Sequence, residues 1–134
     1  MLNTKPDFYN DLDKIYSKIW DLLNLGLQNR NAPFHIPVFI GGKKNEFDAR
    51  IIVLRGISEK ENKIWFHSDI RSNKIKDLRF NPKGILLFYD KNEKVQLRIS
   101  GLAKINYQNI ITKKSWKKTA HMSRQCYLGN HAPG

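Results

Sequence analysis

Cysteine is nearly absent: Cys126 stands alone among 134 residues, which excludes an internal disulfide and any cluster of thiolate metal ligands. Histidine is scarce, and His35, His67, His121 and His131 fall at no spacing typical of metal ligands, so no metal is expected. Long apolar runs are missing too. No stretch approaches the roughly 20 residues that cross a bilayer, and the N-terminus lacks the basic-then-apolar order of a secretion leader. A cytoplasmic protein without a membrane partner is therefore expected. Acidic residues are in short supply, 12 against 24 lysines and arginines, for a formal charge of +12. Such a field draws anions of every kind, from nucleic acid to small phosphorylated ligands. The aromatic residues, however, lie in apolar alternation and are not interleaved with cations as on a nucleic-acid-reading surface, so no nucleic-acid partner is expected.

What is present fits a globular chain. Hydrophobic residues make up 40% and charged residues 27%, close to the usual averages, and the length suits one domain, 1–134, with its own core. Residues 5–29 carry Phe8, Leu12, Ile15, Ile19, Leu22 and Leu23 at three- and four-residue steps, the pattern of a helix with one apolar face. Thr4, Pro6 and Asp7 predict its capped start, and Tyr16 and Trp20 are expected in the core. Beyond Asn31 the texture changes to short apolar runs separated by turn chemistry. Strands are predicted over 33–40, 49–57, 64–68, 84–90 and 95–105, and their closeness in sequence favours an antiparallel meander. A short helix is predicted from Ser72, its N-cap, to a stop at Asn81–Pro82. A further helix is predicted over 108–118 and additional turns over 121–128.

Chemistry concentrates where the third strand ends. In "IWFHSDIRSNK" (64–74) an apolar run gives way to hydroxyls, an amide and cations just as a helix begins. A helix N-terminus presents unpaired N–H groups and a partial positive charge, so Ser72, Asn73 and Lys74 make an anion cradle to which His67 and Ser68 can add donors. A second pair of cations, Arg50 and Arg55, brackets the apolar "IIVL". Alternation sends Arg50, Ile52 and Leu54 to one face of a strand and Ile51, Val53 and Arg55 to the other. Gln96 and Arg98 lie on the last strand ahead of Gly101.

The strings "RIIVLR" (50–55), "FHSDIRSNK" (66–74), "NP" (81–82) and "QLRISG" (96–101) resemble, in order and spacing, motifs of the pyridoxamine 5'-phosphate oxidase family and its FMN-binding relatives. Those read R-x-V-V-L-R, F-x-T-D-x-R-S-x-K, N-P and Q-x-R-x-x-G. The resemblance implies a mainly β fold with flanking helices (α+β): a split β-barrel, antiparallel and Greek-key-like, with the N-terminal helix of residues 1–30 packed on a barrel formed from 32–134. It implies a homodimer with FMN at the subunit interface. Arg50 and Lys74 would bind the FMN phosphate, with Ser68, Ser72, Asn73 and His67 nearby. The backbone of Ile51, Ile52, Val53 and Leu54 would lie along the flavin ring, Arg55 would stand near its reactive side, and Gln96 would reach across from the partner chain.

The same comparison implies an oxidoreductase acting on a small molecule, with the reactivity carried by the flavin. It also marks departures. The tyrosine, arginine and serine that hold substrate phosphate in the family's oxidases correspond to Ser115, Thr119 and Ser123, so only the serine remains beside Arg55 on the substrate side. Each charge-assisted bond to a phosphate contributes about 1.5–3 kcal/mol, and pyridoxamine phosphate is accordingly expected to be a poor ligand. The oxidases also continue into a C-terminal strand, whereas this sequence ends at Gly134, as either a shortened relative or a fragment, and in both cases a more open substrate side is expected. A second reading is a non-catalytic carrier or sensor of flavin or a haem-type ligand on the same fold.

Overall fold

A computed structural model describes residues 5–107 and Lys113. The helix predicted at 108–118, the turns at 121–128, and Ser115, Thr119, Ser123 and Cys126 lie outside the described residues.

The first helix, α1, spans Leu12–Gln28 and begins later than its apolar periodicity suggested. The carboxylate of Asp11 accepts from the backbone N–H of Asp13 at 3.0 Å and of Lys14 at 3.1 Å, satisfying two of the donors that a helix start leaves unpaired. Pro6 instead sits in a turn whose carbonyl accepts from Tyr9 N–H, and Thr4 lies outside the described residues. The buried face runs through Leu22, Leu23 and Gly26, with Ile19, Trp20 and Leu27 packed at its margin. Leu12, 83% exposed, and Tyr16 stand outside that face, contrary to the expectation for both.

Residues 33–40 do not form one strand. Proline fixes φ and has no N–H to donate, and Pro33–His35 forms a 3-10 turn that drives Phe34 against Phe88, ring centroids 5.0 Å apart. Strand β1 follows at Val38–Gly41. The run predicted at 49–57 divides into β2, Asp48–Ile51, and β3, Leu54–Ser58. Strand β4 is Lys63–Phe66, helix α2 Asn73–Phe80, and β5 and β6 are Lys83–Asp90 and Val95–Leu102.

Every pairing is antiparallel, but the order is not that of a simple meander. One sheet has four strands in the order β2-β1-β5-β6, and β3 pairs with β4 in a second. In the first, Val38 of β1 faces Ile51 on one side and Leu87 on the other. The β5–β6 hairpin is closed by Asp90, whose carboxylate accepts from the N–H groups of Asn92 and Glu93. In the second sheet the register slips between Leu54 and Gly56, making Arg55 the extra residue of a β-bulge. That slip lets Leu54 and Ile57 both meet the core, as do their partners Phe66 and Ile64.

Ile52 and Val53 carry the chain between sheets and belong to neither. Ile52 is nonetheless buried, its N–H held by Pro37 O at 2.9 Å. One core joins both sheets and both helices, through Leu23 of α1, Phe39 of β1, Leu54 of β3, Leu78 of α2, and Leu86 and Phe88 of β5. Each such side chain contributes roughly 1.5–3 kcal/mol on burial.

Gly26 sets how closely α1 meets the 3-10 turn. A Cβ there would lie 2.6 Å from the carbonyl carbon of Phe34, a backbone atom that cannot rotate aside. Gly26→Ala gains about 1 kcal/mol of helix propensity, whereas overpacking costs about 1–3 kcal/mol. The variant is expected to be less stable, seen as a lower urea midpoint at unchanged slope; an unchanged or raised midpoint would contradict this packing.

Candidate functional site

The pairing of β1 with β2 places Asp48 and Arg50 opposite Gly41 and Phe39. Two-residue alternation keeps that row facing inward, whereas Ile51 between Arg50 and Ile52 points out and is 68% exposed. Against the row packs α2, held by buried Ile75 and Leu78, so that Lys74 meets Arg50. Both cations line a niche with Phe39, Gly41, Gly42, Asp48, Asp77 and Leu78. Burial pushes the Lys74 ammonium below its usual range, the positive charge of Arg50 adds to that, and Asp48 partly offsets it. Asp48 also orients the guanidinium, its Oδ2 3.0 Å from Arg50 Nε. The niche holds only about 10 Å³ and opens, past Gly42, Asp48, Arg50 and Asp77, into a wider cavity of about 410 Å³. Gly42 at this junction has φ +153°, and a Cβ there would lie 2.0 Å from Glu46 O, so the hairpin wall requires glycine.

The polar crowd before α2 has a division of labour. Ser72 is fully buried and lies with its Oγ 3.0 Å from that of Ser68; it stands at the N-cap position of α2, as expected, but its side chain makes no cap bond to the helix. Asp69 accepts from both the backbone N–H and the guanidinium of Arg71, Oδ1 lying 2.8 Å from N and 2.9 Å from Nε. These bonds lower the Asp69 pKa to about 2. Ser68, Asp69, Arg71 and Ser72 therefore fasten the loop, while Asn73 and Lys74 face the two cavities.

Arg55 is not gathered with Arg50: the two lie on separate strands in separate sheets and not on opposite faces of one strand as the alternation suggested. Its Nε is buried without a hydrogen-bond partner among the described residues. Its charge acts on His67, whose pKa is lowered first by burial and then by Arg55, leaving the imidazole neutral at pH 7. Gln96 lies on β6, the opposite edge of the four-stranded sheet from β2. Three strand spacings, about 14 Å, separate those edges, so one chain does not bring Gln96 to Arg50. Asp48, Asp77, Phe39 and the paired glycines were missed from sequence. Spacing carried a signal for two of them: Asp48 precedes Arg50 by two on a strand, and Asp77 follows Lys74 by three on a helix. Among the described residues no group of three or more His, Cys, Asp or Glu could hold a metal, and no helix is long and apolar enough to cross a membrane.

The model of the FMN-binding domain of pyridoxamine 5'-phosphate oxidase matches residues 27–107. The chain belongs to that family. The matched span contains all four motifs, the niche and both sheets of this pyridoxamine 5'-phosphate oxidase-like domain. A solved structure from Nostoc punctiforme, a pyridoxamine 5'-phosphate oxidase-related, FMN binding protein, is similar with a TM-score of 0.69 at 20% identity. The alignment covers 86% of this chain and 65% of that one; at such identity the likeness establishes the split-barrel fold alone. No curated protein matches at a significant level.

The Asp69–Arg71 pair gives this family member a defined acid response. A carboxyl held at about 2 in the folded chain, against 3.8 ordinarily, stabilises fully above the ordinary value and ceases to do so as pH falls through the folded one. Asp69→Asn is expected to lower stability at pH 7 in denaturant titrations and to flatten the loss that the parent shows between pH 4 and 2; parallel acid curves would show that the pair is uncoupled from folding.

Proposed function

We propose that the chain binds FMN and acts as an FMN-dependent oxidoreductase on a small molecule, as a homodimer with the cofactor between subunits. The carrying observation is the convergence of Arg50 and Lys74, from a strand and a helix, on one half-buried niche. A half-buried lysine whose ionisation a neighbouring arginine further disfavours gains from an anion placed between the two. Because the niche takes no more than a water-sized group, a phosphate would seat at its mouth, where Arg50, Asn73 and the first turn of α2 supply donors. The junction at Ile52 and Val53 leaves both strand ladders, which suits backbone contact with a flat ring.

Further support comes from the relatives: the family model is of an FMN-binding domain, and the Nostoc protein is described as FMN binding. For the dimer, the support is the outer face of the four-stranded sheet. There Ile51, Tyr89 and Leu102 are more than half exposed and Ile85 is partly so, and Gln96 sits on the edge strand. FMN, when bound, would supply hydride and one-electron chemistry. The chain's own part is to hold the phosphate through Arg50 and Lys74, to orient that guanidinium with Asp48, and to keep His67 uncharged beside Arg55. A carrier or sensor role is favoured by one observation, Ser115 and Thr119 standing where oxidases have tyrosine and arginine. Sustained turnover of bound flavin with a nicotinamide donor and any electron acceptor would exclude it.

Arg50→Ala and Lys74→Ala are each expected to weaken FMN binding by about 10- to 100-fold, as loss of a charge-assisted bond implies, and to leave riboflavin, which lacks the phosphate, nearly unaffected. Equal losses for both ligands, or none, would show that these cations do not hold the phosphate. Rising pH should weaken FMN binding earlier than an ordinary lysine would dictate, since the Lys74 pKa is lowered, and Lys74→Arg should remove that early loss.

A further inference from the structure

FMN ends at its phosphate, yet the cavity does not end at the niche. The space of about 410 Å³ beyond it falls within the roughly 300–1,000 Å³ of small-ligand clefts. Four residues, Gly42, Asp48, Arg50 and Asp77, line both niche and cavity, so a phosphate at the mouth of one borders the other. The added walls are Lys43, Glu46 and Phe47 from the β1–β2 hairpin, with Asn73 and Lys76 from α2.

Two features of these walls have no role in the fold. Phe47 is 88% exposed, where its ring contributes little to the core but offers a flat apolar face at the rim. The Lys76 side chain makes no hydrogen bond or ion pair with any described residue, whereas Lys43 stands 4.0 Å from Asp77 and Arg50 lies against Asp48. The cavity's remaining carboxylate is Glu46, so the wall carries three acids against three cations. That balance disfavours a second dianion but tolerates a singly charged phosphate. A phosphoanhydride has that distribution, one negative charge on each phosphorus. An aromatic platform next to it suits a planar base.

We propose that this cavity takes the adenylate half of flavin adenine dinucleotide, so that the chain binds FAD as well as FMN. The flavin-side phosphate lies at Arg50 and Lys74, the second phosphate at Lys76 and Asn73, and the adenine against Phe47. This inference rests on the FMN reading above, and titration calorimetry of the deflavinated full chain separates the two. FAD is expected to bind more tightly than FMN to the parent protein. Phe47→Ala is expected to weaken FAD by about 5- to 100-fold, the range of base–aromatic stacking, and to leave FMN within about twofold. Lys76→Ala should shift FAD in the same direction. Both positions are exposed, so neither change threatens folding. If FMN binds but FAD is weaker, or equal and indifferent to Phe47→Ala, the dinucleotide inference fails and the FMN reading stands. If FMN weakens equally in Phe47→Ala, the cavity serves the mononucleotide and the inference also fails. If neither flavin binds, both readings fall.

Discussion

Two positive charges held side by side and half out of water are the constraint on which this architecture turns. Removing one charge from solvent is unfavourable, and a like neighbour makes it more so. The chain tolerates the arrangement because Asp48 lies against one cation and because β2 and α2 are anchored independently of it. The ladder between β1 and β2 fixes the inward row. Ile75 and Leu78 press α2 onto the same core that buries Phe39 and Leu54, and the bond between Ser68 and buried Ser72 secures the loop that leads into the helix. Stability invested in these apolar contacts keeps the cations in place, and that preorganisation favours an anionic ligand over water.

Much of this fold was legible in the sequence, and the failures have local physical causes. The periodicity from Ile15 to Leu23 identified α1, but periodicity does not say where the first turn is capped. The Asp11 carboxylate decides that, seven residues after the position suggested by Thr4. Pro33 reads as a strand residue only if its lack of a donor is ignored; it opens a 3-10 turn instead. The run 49–57 looked continuous because Ile51, Ile52, Val53 and Leu54 are all apolar. A sheet change inside an apolar run leaves no mark in hydropathy when the corner residue, Ile52, is itself buried. The pairing of β1 with β5 was equally hidden, since it joins strands far apart in sequence.

The site was legible to a different degree. Arg50 and Arg55 are kept apart by the change of sheet between Ile51 and Leu54 and not by alternation along one strand, and of the crowd from His67 to Lys74 only Asn73 and Lys74 line the niche and the wider cavity. What sequence could not convey was the assignment of tasks within that crowd. Ser72 stands at the helix cap but turns its hydroxyl to Ser68 and not to the helix; Asp69 looks available and is held by Arg71. Such outcomes depend on which backbone donors the loop leaves unsatisfied, and composition does not reveal that. Asp48 escaped notice because an acid in a basic protein reads as surface charge until the inward row it shares with Arg50 on β2 is known.

The bulge at Arg55 constrains how this lineage can vary in length. Loss of a single residue between Leu54 and Ile57 would restore a regular ladder and, with it, strict alternation. Leu54 and Ile57, then two residues apart, would keep to the core face, but the bulge that sets Arg55 beside the neutral imidazole of His67 would be gone. Evolution can lengthen or shorten the 59–62 turn with little penalty. The strand that precedes it behaves as a gauge block, tolerating exchange of side chains but not a change in the number of its residues.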